Sequence, residues 1–276
     1  MTDAGGLLLS LARSLLIAYG IILLLAVLFA ERLIFQPPPA SYRETSGIIR
    51  ITAADGVSLA ARYLPNPAAR FTILYSHGNG EDLGDIAPFL DELRGRGYAV
   101  FAYDYRGYGL SGGRPSEAGS YRDIEAAYDY LTGPLGVAPD RLILLGYSVG
   151  SGPAADLAVR RPVAGLVIES GFTTAFRAVT RLPLLPFDRF RTIDKVARLS
   201  VPLLVIHGRD DHIIPFSHGR RLYAAAPEPK RYLWVEKAGH WDLREAAGEG
   251  YWRTLRDFTV LLAEGPRRPV PSGRAP

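Results

Sequence analysis

The sequence of 276 residues contains no cysteine, so disulfide bonds and thiolate metal sites are excluded. This absence is compatible with both an oxidising and a reducing compartment. Positive charge is only slightly in excess, with a net charge of +4, and Lys and Arg do not cluster among aromatic residues. We therefore predict no nucleic-acid partner, because such partners require a basic surface.

Charge is also missing from a long apolar run near the N-terminus. Residues 15–30 read LLIAYGIILLLAVLFA, and extension back to Leu7 adds a single charge, Arg13. The extended run reaches the ~20 residues that a membrane-spanning helix needs. We predict a retained single-pass membrane anchor, with residues 1–47 forming the anchor and a proline-rich spacer. A cleaved signal peptide is the alternative, although Leu28 and Phe29 before Ala30 do not make a small-residue cleavage site.

Beyond residue 47, apolar runs alternate with segments of helical spacing. Residues 48–52 and 57–63 flank an Asp-Gly turn and predict an antiparallel hairpin. The later apolar runs lie at residues 71–76, 98–103, 142–145, 163–168, 202–206 and 232–235. This alternation predicts an α/β fold, in which a mostly parallel central sheet carries helices on both faces. We assign residues 48–264 to this domain and residues 265–276 to a disordered tail.

Two serines stand in the pattern Gly-x-Ser-x-Gly, which marks the nucleophile of many hydrolases. Ser148, in GYSVG, follows an apolar run and precedes a helical segment, whereas Ser111, in GLSGG, lies in a glycine-rich loop. Functional residues of a parallel sheet collect just beyond the carboxyl ends of its strands. A serine on a tight strand-to-helix turn also has its hydroxyl exposed. We therefore predict Ser148 as a nucleophile and Ser111 as a loop residue.

A serine nucleophile needs a base, usually a histidine that a carboxylate orients. The sequence has five histidines, and His240 follows the last apolar run in a loop directly after a glycine. This position places His240 at the same edge of the sheet as Ser148. Asp210 and Asp211 both follow the run at 202–206, and both are candidates for the carboxylate.

Acyl transfer also needs N–H donors for the oxyanion that develops in the transition state. Val149, the residue after the nucleophile, is expected to supply one backbone N–H. The loop after the first core strand reads SHGNG at residues 76–80, and its glycines allow a substrate to approach the backbone. We predict the backbone N–H of Asn79 as the second donor, and a structural role for His77.

Six segments together resemble the α/β-hydrolases, in particular the membrane-anchored branch that includes eukaryotic protein depalmitoylases, related bacterial hydrolases and serine-aminopeptidase-like proteins. The segments are SHGNGEDLG (76–84), DYRGYGLSGG (104–113), GYSVGSG (146–152), ESGFTT (169–174), HGRDDHIIPFSHG (207–219) and AGHW (238–241). Their Ser–acid–His chain order is the one typical of that superfamily. The resemblance implies Ser148 as nucleophile, Asp211 as acid and His240 as base.

The connection at residues 171–200 is longer than the others and rich in Phe and Leu, so we predict a small apolar lid there. An anchor together with an apolar lid favours a lipid-like acyl ester or thioester as the substrate. The predicted activity is therefore that of a serine esterase, thioesterase or lipase that works through an acyl-enzyme. A serine peptidase on the same site is the alternative, because a family does not fix a substrate.

Two further classes of function compete with this prediction. Residues 207–212 read HGRDDH and partly match a zinc-binding pattern, H-x-H-x-D-H, but Arg209 occupies the second ligand position. A cationic side chain cannot ligate zinc there, so we predict neither a metal nor an organic cofactor. A non-catalytic, membrane-anchored scaffold would be expected to lack one of the catalytic parts, and the sequence contains them all.

Overall fold

The computed structural model describes residues 4–45, 47–180 and 185–264. The helices are α1 Ala4–Ile34, α2 Ala87–Gly95, α3 Glu117–Thr132, α4 Ser151–Arg160, α5 Ala175–Thr180, α6 Thr192–Val196, α7 Ser217–Ala225, α8 Leu243–Ala247 and α9 Glu249–Glu264. The strands are β1 Ile49–Thr52, β2 Ser58–Leu64, β3 Thr72–Ser76, β4 Ala99–Tyr103, β5 Leu142–Tyr147, β6 Gly165–Glu169, β7 Leu203–Gly208 and β8 Lys230–Val235. The predicted tail, 265–276, and residues 181–184 of the predicted lid lie outside the described residues.

The strands form one sheet in the order β1-β2-β4-β3-β5-β6-β7-β8. Strand β2 pairs antiparallel with β1 and β4, and the pairs from β4 through to β8 are parallel. The predicted α/β fold with a leading antiparallel hairpin is thereby confirmed. Strand β3 pairs with β4 on one side and with β5 on the other. Ligands of such sheets bind at this reversal of strand order, outside the carboxyl ends of the strands.

Helices cover both faces of the sheet, which explains why strands β3 to β7 are buried along their whole length. On one face, Ile124 of α3 and Leu157 of α4 belong to the core cluster. On the other face, Leu90 of α2 and Leu255 of α9 belong to a second cluster. The rigid sheet between these two cores fixes the positions of the loops that follow its strands.

Helix α1 contains a segment, Gly5–Ile34, that is long and apolar enough to cross a membrane, and none of its most apolar window is buried. The C-terminal end of the helix contacts the domain, since Ala30 and Phe35, the residue after the helix, are both buried. The spacer that follows is also attached, since Ser41 donates hydrogen bonds to the Asp82 carboxylate. The part of the chain predicted as anchor and spacer therefore packs on the α/β domain from about residue 30 onward.

Candidate active site

Ser148 lies at the carboxyl end of β5, in a short 3₁₀ turn that leads into α4. Its backbone φ of 51° is in the left-handed region, which costs ~1–3 kcal/mol for a residue other than glycine. The two glycines of the pattern allow the turn to pack tightly. A Cβ on Gly146 would lie 2.4 Å from the carbonyl oxygen of Gly150, and one on Gly150 would lie 2.1 Å from that of Ser76. The strained serine is therefore held by close packing against the end of β3.

The structure brings Ser148, His240 and Asp211 together at this edge of the sheet. The His240 Nε2 atom lies 3.1 Å from Ser148 Oγ, and His240 Nδ1 lies 2.8 Å from Asp211 Oδ2. A carboxylate only accepts hydrogen bonds, so Nδ1 carries the ring proton and Nε2 presents its lone pair to the serine hydroxyl. All three side chains are buried. This arrangement can remove a proton from Ser148 as it attacks an electrophile.

The loop after β7 distinguishes the two candidate acids. The second carboxylate oxygen of Asp211 accepts the backbone N–H groups of Ile213, at 2.9 Å, and Ile214, at 2.7 Å. Two backbone donors and one imidazole donor thus hold this carboxylate in place. Asp210 is exposed. Burial and hydrogen bonding therefore single out Asp211 as the carboxylate that orients His240.

A hydrogen bond that the sequence analysis did not predict holds His240 against the serine turn. The Tyr147 hydroxyl donates to the backbone carbonyl of His240 at 3.0 Å. Behind Tyr147, the Arg244 guanidinium lies 3.5 Å from the centre of the Phe89 ring and pairs with Glu169 at 2.7 Å. These contacts join residues that are far apart in the chain, so no local sequence pattern predicts them.

The other buried histidines support loops around the site. Burial lowers the pKa of His77, but the Asp104 carboxylate, 3.4 Å from His77 Nε2, outweighs it, so the pKa of His77 is raised overall. Burial lowers the pKa of His207, whose Nε2 donates to the Ile214 carbonyl at 2.9 Å. Burial and the positive charge of Arg221 lower the pKa of His218 to about 4. His207 is therefore a neutral support of the loop that carries Asp211. The neutral His218 accepts the Thr173 N–H at 3.1 Å and so supports the loop after β6.

Asn79 and Val149, the predicted oxyanion donors, line the same cavity as Ser148 and His240. The Asn79 side chain is fixed by its Oδ1 atom, which accepts the Gln36 N–H at 2.9 Å and the Tyr108 hydroxyl at 2.6 Å. The sequence analysis missed this connection, which ties the end of α1 to the loop after β3. That the two backbone N–H groups bind an oxyanion stays a prediction.

Above Ser148 is a cavity of roughly 700 Å³ with mostly apolar walls. One wall comes from the predicted lid segment, through Phe172, Ala175 and Leu185. Another comes from the C-terminal part of α1, through Ala26 and Leu33. None of the lining residues in the described part of the chain is acidic. The volume and lining suit an apolar ligand of moderate size.

Two alternatives from the sequence can be located in the structure. The Ser111 hydroxyl donates to the Asp104 carbonyl at 2.9 Å and accepts the Ala60 N–H at 2.9 Å, so it belongs to the backbone of its loop. Within residues 4–45, 47–180 and 185–264, no group of three or more His, Asp or Glu side chains is placed to hold a metal ion.

Comparison with known proteins gives matches along most of the chain. A family model described as serine aminopeptidase, S33, matches residues 67–185. The mouse alpha/beta hydrolase domain-containing protein 17C is 43% identical over 196 residues, which cover 70% of this chain and 60% of that protein. Protein 17B from Xenopus laevis is 40% identical over 197 residues, which cover 70% of this chain and 68% of that protein. The chain belongs to the α/β-hydrolase superfamily, in the family of the alpha/beta hydrolase domain-containing 17 proteins.

This membership confirms the superfamily that the sequence motifs indicate. An esterase from Pyrococcus furiosus, Pf2001, is similar in structure, with a TM-score of 0.68 at 21% identity over 82% of this chain and 98% of that one. The esterase RhEst1 from Rhodococcus is also similar, with a TM-score of 0.62 at 20% identity over 78% of this chain and 99% of that one. At such identities the likeness concerns the fold. The hydrolase spans about 60% of the length of the first curated relatives that it matches.

Proposed function

We propose that this α/β-hydrolase is a membrane-anchored serine hydrolase that cleaves carboxylic esters or thioesters of lipid-like acyl chains. The observation that carries the proposal is the continuous hydrogen-bonded series from Asp211 through His240 to Ser148, which ends in an apolar cavity. A serine hydroxyl is a weak nucleophile by itself, and this series is the arrangement that activates it.

In the proposed mechanism, His240 Nε2 takes the proton of Ser148 Oγ as that oxygen attacks the acyl carbonyl. Asp211 holds the imidazole in its tautomer and stabilises the imidazolium that forms. The N–H groups of Asn79 and Val149 donate to the oxyanion of the tetrahedral intermediate. His240 then protonates the leaving alcohol or thiol, and a bond between Ser148 Oγ and the acyl carbon remains.

Hydrolysis of the acyl-enzyme repeats these roles with water as the nucleophile. His240 accepts a proton from the water as it attacks the acyl carbon, and it returns the proton to Ser148 Oγ as the acid leaves. The step needs no metal or organic cofactor. The apolar cavity keeps bulk water away from the acyl chain, while the reacting carbonyl lies at the polar end near His240.

The cavity favours acyl esters over peptides. An aminopeptidase must bind the charged α-amino group of its substrate, and a buried charge is costly unless a partner of opposite sign is present. The described residues that line this cavity include no Asp or Glu, so such a partner is missing from them. Apolar residues such as Phe172 and Leu185 instead offer contacts to a methylene chain.

The proposal treats α1 as a retained membrane anchor. A signal peptidase that cut after Ala30 would remove Ala26 from the wall of the cavity and would expose the surface on which Ala30 is buried. The C-terminal end of α1 thus contributes both to the cavity wall and to the packing of the domain. This argument favours an anchor over a cleaved signal peptide.

Labelling with a fluorophosphonate probe tests the nucleophile. The purified full chain should be labelled, Ser148→Ala should lose the label, and Ser111→Ala should keep it. Ser111→Ala is the matched control because Ser111 stands in the same five-residue pattern, with its hydroxyl bonded to backbone atoms. Absence of labelling in the folded wild type would contradict the proposal and favour a non-catalytic scaffold.

Turnover of acyl esters and thioesters of increasing chain length tests the substrate class. We expect kcat/KM to rise with chain length until the cavity is filled, since each buried methylene contributes ~0.8 kcal/mol. Aminoacyl amides serve as the peptidase control. A flat dependence on chain length, or hydrolysis of the amides alone, would contradict an acyl substrate.

A further inference from the structure

In the part of the domain that the structure describes, few large apolar side chains outside α1 are exposed, and two of them line the cavity. In the described part of the domain, four large hydrophobic residues are exposed: Ile213, Tyr232, Trp241 and Val260. Ile213 and Trp241 both line the cavity above Ser148, and their exposed fractions are 53% and 73%. Tyr232 and Val260 are not part of its lining. Ile213 and Trp241 therefore form an exposed apolar edge of the cavity, which we call its mouth together with the last turns of α1.

The end of α1 is fixed to the same mouth. Phe35 is buried, with its ring 5.7 Å from that of Phe190, and the Gln36 N–H donates to Asn79 Oδ1 at 2.9 Å. Ala26 and Ile34 themselves line the cavity. The position of the helix relative to the cavity is thus set by packing and hydrogen bonds, and does not depend on a loose linker.

The charges that flank the apolar run indicate how deep the cavity lies. Residues 14–30 carry no charge, and they are bounded by Arg13 on one side and by Glu31 and Arg32 on the other. At 1.5 Å per residue these residues extend about 26 Å, close to the ~30 Å of a hydrocarbon core. The membrane interface then lies near Glu31, and Ala26 in the cavity wall lies about 7 Å below it.

We propose that the mouth of the cavity, formed by the last turns of α1 with Ile213 and Trp241, is immersed in the headgroup–acyl boundary of the bilayer. This inference rests on the proposed function, and it adds that the acyl chain enters sideways from the membrane without crossing water. Trp241 has the amphipathic ring that favours this boundary. The occupant of the exposed apolar mouth is the lipid surface itself, which continues from the exposed face of α1.

A cationic cavity beside the mouth is consistent with this placement. Arg177, Arg209 and Arg221 line a space of roughly 390 Å³, together with Asp211 and His212 of the loop that carries Ile213. Arg209 also pairs with Glu236 at 2.7 Å. Arginine side chains near a membrane surface attract anionic headgroups, by about 1 kcal/mol each. Apolar residues at the mouth and cations beside it match the acyl and headgroup layers of an anionic bilayer.

The absence of cysteine makes a direct test simple, because any introduced cysteine is the single site of labelling. Ile213→Cys and Trp241→Cys, each carrying an environment-sensitive fluorophore, are reconstituted as full chains in phosphatidylcholine vesicles with one-fifth phosphatidylglycerol. Tyr232→Cys and Val260→Cys are matched controls, since both replace exposed apolar residues away from the cavity. Leu16→Cys, on the exposed face of α1, reports on the span itself.

We expect the labels at positions 213 and 241 to emit at shorter wavelength than those at 232 and 260. Quenchers attached to lipid chains should reduce their emission, and aqueous iodide should have little effect on them. If iodide quenches the labels at 213 and 241 as strongly as the controls, the mouth lies in water and the inference is wrong. If the label at position 16 is also aqueous, α1 does not span the membrane and the inference falls with it.

Fluorophosphonate labelling of wild type in the same vesicles separates this inference from the proposed function. Labelling of Ser148 together with aqueous labels at positions 213 and 241 would keep the hydrolase and reject the immersed mouth. Lipid-shielded labels without reaction at Ser148 would keep the membrane contact and reject the hydrolase.

Discussion

The two segments GYSVG and GLSGG share the Gly-x-Ser-x-Gly pattern but lie in unlike surroundings. In the segment at 146–150, the hydroxyl of Ser148 lies 3.1 Å from a histidine nitrogen. In the segment at 109–113, the hydroxyl of Ser111 bonds to one backbone carbonyl and one backbone N–H, both at 2.9 Å. The first hydroxyl is available to a base, and the second is used by the backbone.

Position relative to the sheet explains the difference. Ser148 is the first residue after β5, whereas Ser111 comes 8 residues after β4 ends at residue 103 (111 − 103), where the chain has already turned back towards β2. Only the residue at the strand end is forced into the tight turn that gives Ser148 its φ of 51°. A five-residue pattern therefore predicts a nucleophile only together with the strand that precedes it.

Turnover by the two alanine variants provides the strongest test of this comparison. Ser148→Ala should reduce kcat by ~10⁴–10⁶-fold on an acyl ester, because the nucleophile is lost. Ser111→Ala should leave kcat within about twofold of wild type, because its hydroxyl is engaged by the Asp104 carbonyl and the Ala60 N–H. Circular dichroism of both variants checks that they are folded. Equal losses in the two variants would mean that the loop at 109–113 also takes part in the reaction.

The neighbouring aspartates give a matched pair on the acid. Asp211→Asn should lower kcat by ~10⁴-fold, because the amide favours the wrong imidazole tautomer while the shape of the site is kept. Asp210→Asn should have little effect, since that side chain is exposed. The two rates are compared on one ester over a range of pH. A larger loss in Asp210→Asn would reverse the assignment.

Glycine substitutions test the close packing of the turn at Ser148. A Cβ on Gly150 would meet the Ser76 carbonyl oxygen at 2.1 Å, so Gly150→Ala should destabilise the protein by ~3 kcal/mol. A Cβ on Gly112 meets its nearest atom at 3.5 Å, and Gly112→Ala should change stability by less than about 0.5 kcal/mol. Thermal unfolding of the full chains in detergent micelles measures both. Similar values for the two variants would show that the close contact at Gly150 does not constrain the turn at Ser148.

The segment that contains His218 and the segment that contains His77 should respond to acid in opposite senses. His218, beside the Asp211 loop, has a pKa lowered from 6.5 to about 4. Its contribution to stability is complete above pH 6.5 and is lost as pH falls towards 4. At 1.4 kcal/mol per pKa unit, and reduced for partial solvation, this loss is about 2 kcal/mol. His77, whose pKa is raised, contributes fully below the unfolded value near 6.5, and its contribution is lost as pH rises through its folded pKa.

Hydrogen exchange at pH 7.5 and pH 5, corrected for the intrinsic rates, can measure this difference by segment. Residues 207–222 should lose protection at pH 5, whereas residues 76–84 should keep theirs. His218→Gln should reduce the loss in the first segment and leave the second unchanged. Equal loss in both segments would indicate a global effect of acid unrelated to these histidines.

Most of the fold could be predicted because its strands are buried on both faces and so read as continuous apolar runs. Strand β4, for example, spans Ala99–Tyr103 against a predicted 98–103. Helix α3 begins earlier than its apolar spacing suggests, because the Ser116 hydroxyl caps it by accepting the Gly119 N–H. Helix α8 was not predicted, and α5 and α6 were predicted only as part of the lid segment at 171–200, since five or six residues are too few to display a helical period.

The candidate site was predictable where residues follow strands directly, as Ser148 and Asp211 do. The supports of the site were not predictable, because they are hydrogen bonds between distant residues and often involve backbone atoms. Tyr147 to the His240 carbonyl is one case, and Gln36 N–H to Asn79 is another. Because the hydrogen bond from Gln36 N–H to Asn79 is not visible in the sequence, the end of α1 could not be recognised as part of the domain. The apolar residues of α1 suit a membrane equally well.

The smallest expected effect is on stability, where the loss of the Ser111 hydroxyl should matter more than the loss of the Ser148 hydroxyl. Ser111→Ala removes one hydrogen bond to the Asp104 carbonyl and one from the Ala60 N–H, so it should lower the free energy of unfolding by about 1 kcal/mol. Ser148→Ala should change that free energy by less than about 0.5 kcal/mol, because its hydroxyl contacts only a base that stays hydrogen-bonded to Asp211. Unfolding in micelles compares the pair. Loss of stability in Ser148→Ala but not in Ser111→Ala would mean that the first hydroxyl holds the fold and the second does not.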